Sequence, residues 1–373
     1  MESYITSLKR TGILIFSNNS NLKTSFLNKS FNPNFKINGK LFKNLSIYNS
    51  TFNDRDNHHE LTIFLNEWFN EKKHINLETS GSTGTPKKIK VKKAIMVESA
   101  KKTAKFFGLN EGDRALLCLP IKYIAGKMMV VRSIVVGLNL YTTESIGYPL
   151  SETTEGYDFA AMVPNQAEKN ISSLSKIKIL LIGGAPISNA LSKVFQSKTK
   201  GVYETFGMTE TASHIALKNL SAGEKTFNAM PGVSFESKSD LLIINAPHLN
   251  KNKIFTNDII ELKSKKSFIW KGRKDFVINC GGIKYFPEMI EKKITVPKDR
   301  KFIICGIPDP VLFQKIVIVF ERSKPKNTKG MFRKLTKYER PKFMFCLKKF
   351  HRTNEKINRN MVREQILKLS NEN

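Results

Sequence analysis

The sequence predicts an α/β fold in two parts: a large N-terminal domain of mostly parallel sheets covered by helices, then a small α+β domain. Three observations carry this reading. Apolar runs of strand length alternate with helical patterns through the middle of the chain. Strands joined through helices pair in parallel, because a parallel pair needs a long crossover. Near residue 270 this grammar changes, and Trp270-Lys271-Gly272-Arg273 reads as a turn between domains. The length, 373 residues, suits about two or three domains. With 40% apolar and 25% charged residues the chain is ordinary for a globular protein, which excludes disorder as its main state.

The elements follow in order. Ile13–Phe16 reads as a strand, and residues 17–50, rich in Asn, Ser and Lys, as loop or irregular strand. Leu61, Phe64, Leu65 and Phe69 fall on one face of a helix over Glu60–Phe69. Ile75–Glu78 and Ile89–Val91 are strand signals. Further strands are expected at Ala115–Leu119, Phe159–Val163 and Ile177–Ile182, with helices at Lys93–Phe107, Ala125–Val136 and Ser188–Phe195. Beyond the turn come a strand at Val277–Asn279, a helix opened by Pro-Glu at Pro287–Lys292, and strands at Phe302–Ile304 and Ile316–Phe320. Lys324–Lys329 is a basic surface loop. The expected domains are 1–271 and 272–373, with no internal repeat and no sustained heptad.

Charge is the unusual quantity. Sixty-two Lys and Arg against 32 Asp and Glu give +30. One reading is a polyanion partner. The other is compositional drift, since Lys, Asn, Ile and Phe are all abundant, as in an A+T-biased genome. The basic residues are spread from end to end with no recognition motif, which favours drift and no specific nucleic acid. Cys118, Cys280, Cys305 and Cys346 form no CxxC pair, so zinc and thioredoxin readings fail. No segment reaches the ~18 apolar residues of a membrane span. Gly12–Phe16 is too short for a signal peptide, so a cytoplasmic protein without membrane insertion is expected.

The strongest chemical signal is Thr79-Ser80-Gly81-Ser82-Thr83-Gly84-Thr85-Pro86-Lys87-Lys88. Glycines let backbone N–H groups turn toward phosphate oxygens, hydroxyls add donors, and Lys87 can neutralise charge. The spacing is not that of a Walker A loop. The run resembles the phosphate loop of adenylate-forming enzymes, the acyl-CoA synthetase or AMP-binding superfamily. Six further segments resemble that family's motifs in its order: Leu119–Gly126, Gly183-Gly184-Ala185-Pro186, Thr205–Thr211, Phe255–Asp258, Gly272–Asp275 with Gly281-Gly282 and Pro287-Glu288, and Thr353–Arg359. The resemblance runs from about residue 75 to the end. It implies an AMP-binding large domain, N-terminally shortened, and a mobile C-terminal lid.

The resemblance also implies a reaction. A carboxylate attacks the α-phosphate of ATP, pyrophosphate leaves, and the acyl group passes from AMP to the thiol of CoA. Two anions must meet, so positive charge and oriented donors are required. By resemblance the Thr79–Lys87 loop, with Ser80, Gly81, Ser82, Thr83 and Gly84, holds the outer phosphates. Gly183, Gly184, Ala185 and Pro186 flank the adenine, with Phe206 on its face and Gly207 beside it. Thr209 donates to the α-phosphate, and Glu210 holds Mg²⁺, a hard cation suited to carboxylate oxygen. Asp258 accepts from the ribose hydroxyls, with Arg273 close by. Lys356 bridges the reacting carboxylate and the α-phosphate. Asp275 is the hinge, and Gly281 and Gly282 line the path of pantetheine.

Four positions depart from the family pattern. Phe206 replaces tyrosine, Asn257 replaces glycine before Asp258, Glu355 replaces glycine before Lys356, and Tyr123 stands where many relatives have histidine. Asparagine tolerates a left-handed turn, so the Asn257 turn can hold. The run Thr211-Ala212-Ser213-His214-Ile215-Ala216 resembles the o-succinylbenzoate–CoA ligases of menaquinone synthesis, and the compact length and the Leu119–Met129 segment resemble their short Bacteroidetes form. A substrate with a second carboxylate needs a cation in its pocket. Lys127 and Arg132 are the candidates for that cation, with Tyr123, Ser213 and His214 lining the pocket and a solvent-facing Arg132 as the plain alternative. Another acyl or aryl acid, or a basic nucleic-acid-binding protein with a vestigial ligase site, are the competing functions.

Overall fold

The computed structural model describes residues 31–45, 48, 57–78, 88–143, 147–151, 155–198, 201–297, 300–353 and 356–371. The expected strand Ile13–Phe16, the loop Thr79–Lys87 and Glu355 lie outside the described residues. The chain divides into two compact units, one of residues 1–77, 90–182 and 208–213, the other of 78–89, 183–207 and 214–373.

The first unit is built on a parallel sheet. Its strands run in the order Ile177–Ile182, Tyr157–Met162, Arg114–Leu117, Asn139–Thr142 and Lys36–Ile37, with Lys40–Leu41 antiparallel at the edge. The central strands are short apolar runs because helices screen their faces. Leu116, Leu140, Phe159 and Leu180 are all buried. The helix Ile124–Val136 packs on three of these strands and on the helix Lys93–Phe107. It is buried almost all round, which a run such as Met-Met-Val-Val requires. The helix Asn57–Phe69 buries Leu61, Phe64, Leu65 and Trp68. The helices expected at 60–69, 93–107 and 125–136 and the strands expected at 115–119, 159–163 and 177–182 are found within a few residues, whereas the sheet strand Asn139–Thr142 and the helix Pro164–Lys169 were not foreseen, and the α/β class stands.

The second unit contains an antiparallel sheet in the order Ser234–Lys238, Leu241–Asn245, Ile254–Ser264, Ser267–Arg273, Phe227–Ala229, His214–Asn219 and Val202–Gly207. Here the structure corrects the sequence reading. Trp270–Arg273 is no turn: it is the end of the strand Ser267–Arg273, laddered to Ile254–Ser264. Gly272 and the charged neighbours suggested a turn, but Phe268, Trp270 and the hydrogen-bonded ladder hold the chain extended. The chain turns only afterwards, at the 3₁₀ segment Lys274–Phe276.

The remainder of this unit carries a smaller sheet, Ile283–Tyr285, Ile278–Cys280, Phe313–Glu321 and Phe302–Asp309, with Phe343–Leu347 parallel beside Phe313–Glu321. One face of it packs Ile290, Met331 and Leu335. The other packs Val362 and Ile366 of the C-terminal helix Arg359–Asn371. The helix Pro287–Glu291 is tied to the C-terminal helix by Glu291 and Arg359, whose carboxylate and guanidinium meet at 2.5 Å. Among the described residues no helix is long and apolar enough to cross a membrane.

Candidate functional site

In a parallel sheet every strand points its C-terminal end to one edge, and ligands bind there. Leu119-Pro120 and Gly183-Gly184 are the segments that follow two such strands, Arg114–Leu117 and Ile177–Ile182. Buried Gln166 fastens this edge. Its amide donates to the Cys118 carbonyl at 2.8 Å and accepts the Val163 N–H at 3.1 Å.

Glycine is required where the helix Ile124–Val136 starts. A Cβ on Gly126 would lie 2.3 Å from the Pro120 carbonyl oxygen, so only glycine lets the helix begin directly against the Leu119-Pro120 turn. That contact sets where Arg132 falls, six residues on.

Arg132 is 3% exposed, which excludes the solvent-facing alternative. One terminal nitrogen donates to the Ser213 hydroxyl at 2.5 Å, and the other meets Met129 Sδ at 3.8 Å. The guanidinium lies 5.8 Å from the Phe159 ring centroid, and its Nε has no hydrogen-bond partner. Burial lowers its pKa to about 10, so it remains a cation at neutral pH. Among the described residues no carboxylate pairs with it. A buried cation of this kind is costly unless an anion arrives.

The structure brings Arg132 and Ser213 together but takes Lys127 elsewhere. The Lys127 ammonium sits 3.2 Å from a Glu67 carboxylate oxygen and 4.4 Å from the Phe64 ring centroid. Its charge is already balanced within the fold. Tyr123 is half-buried, with the Lys122 ammonium 4.9 Å from its ring centroid, and His214 is half-buried at the start of the strand His214–Asn219.

Thr209, Glu210 and Thr211 form a 3₁₀ turn closed from within. The Thr211 hydroxyl accepts the Met208 N–H at 3.0 Å and donates to the Ser213 carbonyl at 2.7 Å. Ala212 takes φ +59 to leave the turn. Buried Thr211 thus anchors the turn, while Thr209 is half-buried and Glu210 exposed. Glu210 forms no ion pair among the described residues. An open carboxylate beside a turn fits a hard divalent cation, which would supply charge neutralisation at the phosphates.

In the second unit, a Cβ on Gly183 would lie 2.4 Å from Thr205 Oγ1, so a side chain there would require Thr205 to move; Gly184, Ala185 and Pro186 after it are exposed. Phe206 is half-buried, edge-on to Phe268 at 5.2 Å and tilted against Phe227 at 5.7 Å. Its ring stands on an aromatic cluster rather than loose, and Gly207 beside it is exposed.

Asp258 lies on the strand Ile254–Ser264 and is buried. Its Oδ1 accepts the Trp270 indole N–H at 2.8 Å, and its Oδ2 faces Arg273 at 3.6 Å. Desolvation raises its pKa against the pull of Trp270, Arg273 and Thr256. Arg273 also donates to Asp275 at 3.0 Å, and Asn257 donates to the other oxygen of Asp275 at 3.2 Å. So Asn257 needs no left-handed turn: it sits in extended strand, and its side chain holds the expected hinge residue. Trp270 is the residue that sequence reasoning missed. The signal was present in the strand opposite Asp258, had that strand not been read as a turn.

Gly281 and Gly282 take φ +61 and +79 in the turn between Ile278–Cys280 and Ile283–Tyr285. Lys356 lies on a two-stranded ladder with Arg352–Thr353. Its residue surface stays open to solvent, yet desolvation of the ammonium lowers its pKa.

Comparison with known proteins agrees with this arrangement. The family model described as AMP-binding enzyme matches residues 78–235. The crystal structure of an acyl-CoA synthetase (AMP-forming)/AMP-acid ligase II-like protein from Dyadobacter fermentans is 32% identical, covering 85% of this chain and 97% of that one, with TM-score 0.56. A 2-succinylbenzoate–CoA ligase of Listeria monocytogenes is 26% identical over 82% of this chain and 73% of its own. Another, from a Geobacillus strain, is 33% identical over 37% of this chain; the match spans only 30% of the relative. Motifs in family order and near-complete coverage of the Dyadobacter protein, at 32% identity, lead to one conclusion: the chain belongs to the AMP-binding enzyme family, the adenylate-forming acid–CoA ligases.

Proposed function

We propose that the chain is an ATP-dependent acid–CoA ligase acting through an acyl-adenylate, with o-succinylbenzoate as its acid. The observation that carries the acid's class is buried Arg132, hydrogen-bonded to Ser213 and lacking a carboxylate partner among the described residues. An acid with a second carboxylate would supply that partner. The names of the Listeria and Geobacillus relatives favour the same acid.

The proposed roles follow from charge. The Thr79–Lys87 loop and Thr209 donate to phosphate oxygens, Glu210 holds Mg²⁺, and Asp258 holds the ribose. Residues 272–373 act as a lid about Asp275. Lys356, a cation in a partly desolvated place, draws the reacting carboxylate to the α-phosphate; low local polarity strengthens that attraction. The turn at Gly281-Gly282 then admits the thiol of CoA, since glycine lets a chain pass close to backbone.

The test is pyrophosphate release from ATP and Mg²⁺ with o-succinylbenzoate, followed by mass detection of the CoA thioester. Lys356→Ala should cut release by about 10²-fold or more, as loss of a preorganised donor does. Arg132→Met should raise KM for o-succinylbenzoate by about 10²-fold or more, as loss of one partner of a buried ion pair does, and leave benzoate turnover unchanged. Equal losses with both acids would remove Arg132 from recognition. Turnover of monocarboxylates alone would replace the acid and keep the reaction.

A further inference from the structure

We propose that Trp270 is a positioning residue for the nucleotide: its indole N–H holds the Asp258 carboxylate in the orientation that grips the ribose, and Lys292 holds the indole. The proposal rests on the reading of Asp258 as the ribose acceptor.

The geometry that supports it begins with a bulge. Asp258 stands opposite Arg273 and Ile259 opposite Gly272, but Ile260 stands opposite Trp270, so Lys271 is the extra residue. A bulge re-aims side chains and recurs beside active sites. This one brings Trp270 level with Ile260, on the face that Asp258 shares by alternation. The indole nitrogen then reaches Oδ1 at 2.8 Å. Arg273 does not do the same: one terminal nitrogen stands 3.6 Å from Oδ2, beyond hydrogen-bond reach, while the other donates to Asp275 at 3.0 Å. An aspartate that must accept two hydroxyls needs a fixed carboxylate plane, and a rigid ring with one donor supplies it.

A cation also holds the ring. The Lys292 ammonium lies 5.3 Å from its centroid. Lys292 directly follows the helix Pro287–Glu291, in the segment read as the lid. Burial lowers its pKa; Glu204, Glu288 and Glu291 oppose that shift and Lys218 adds to it. A cation over an indole face is attracted to it. Lys292, Trp270 and Asp258 form a chain from lid to ribose.

The experiment is calorimetric titration with AMP and with 2′,3′-dideoxyAMP, which needs no knowledge of the acid. Trp270→Phe should weaken AMP about tenfold, the worth of a hydrogen bond to a charged group, and leave dideoxyAMP unchanged. Trp270→His, with a ring N–H, should recover part of the loss. Lys292→Met should weaken AMP two- to threefold, a modest cation–π contribution, with the same selectivity. Thermal melts identify the variants that fold. Equal losses for both nucleotides would make Trp270 a packing residue and overturn the proposal, as would no loss at all. Should the unaltered protein bind both nucleotides equally, Asp258 is not the ribose acceptor, and that reading fails first.

Discussion

Burial raises the pKa of Asp258, so its ionised form is held at a cost within the fold. The sign follows directly. An ordinary aspartate titrates near 3.8. Below that pH the group is protonated in both folded and unfolded chains and has no effect. As pH climbs from the ordinary value to the higher folded one, the unfolded chain ionises and the folded one does not, so stability falls, and it levels off once both are ionised. Asp258→Asn removes this cost and keeps an oxygen for the Trp270 N–H. The variant should therefore melt above the parent at neutral pH, the two should converge in acid, and AMP binding should fall about tenfold or more. A variant that melts lower at neutral pH would mean that the contact with Arg273 outweighs desolvation. At this scale the closeness of Arg273 to Asp258 was readable, because motifs name both residues. The sequence was unreadable where a contact joins distant segments. Nothing local marks Glu67 as the partner of Lys127, or Trp270 as the donor to Asp258.

The elements show the same division. The helices Lys93–Phe107 and Ile124–Val136 and the strand Ile177–Ile182 were legible because period and burial coincide in them. The strand Ser267–Arg273 was not, because a bulge interrupts its alternation and Gly272 imitates a turn. Phe302–Asp309 runs longer than the expected Phe302–Ile304, because Gly306 and Pro308 lie within the hairpin with Phe313–Glu321. One glycine tests how an element places the site. In Gly126→Ala the new Cβ meets a backbone oxygen at 2.3 Å, and backbone cannot swing aside as a side chain can. The helix Ile124–Val136 must shift, at about 1–3 kcal/mol for overpacking. Arg132 shifts with it. The variant should melt earlier and show a raised KM for the acid, with AMP binding unchanged, because Asp258 belongs to another part of the chain. An unchanged KM for the acid would show that Arg132 is placed by Ser213 and not by its helix.

For the whole molecule the decisive quantity is charge. The net +30 is not evenly used. Between residues 322 and 349 eleven lysines and arginines, all exposed, stand against one carboxylate. That carboxylate, Glu339, is already paired with Lys293. Elsewhere, cations are neutralised one by one: Lys127 by Glu67, Arg359 by Glu291, Arg352 by Glu321. Two opposing effects therefore respond to salt. Screening weakens the exposed ion pairs, each worth about 0–1 kcal/mol at most. Screening also relieves repulsion among the unpaired cations, which grows with net charge and favours the expanded chain. With cations nearly twice as many as carboxylates, repulsion is the larger effect. Raising the ionic strength from about 0.01 to about 0.1 M shortens the screening length from roughly 30 to roughly 10 Å, the range over which surface cations act on each other. The melting temperature should rise across that interval. Reversing the charge of four cations between residues 322 and 349 should raise it at low salt and flatten the dependence. A melting temperature that falls with added salt would mean that the paired charges, few as they are, govern the stability of the fold.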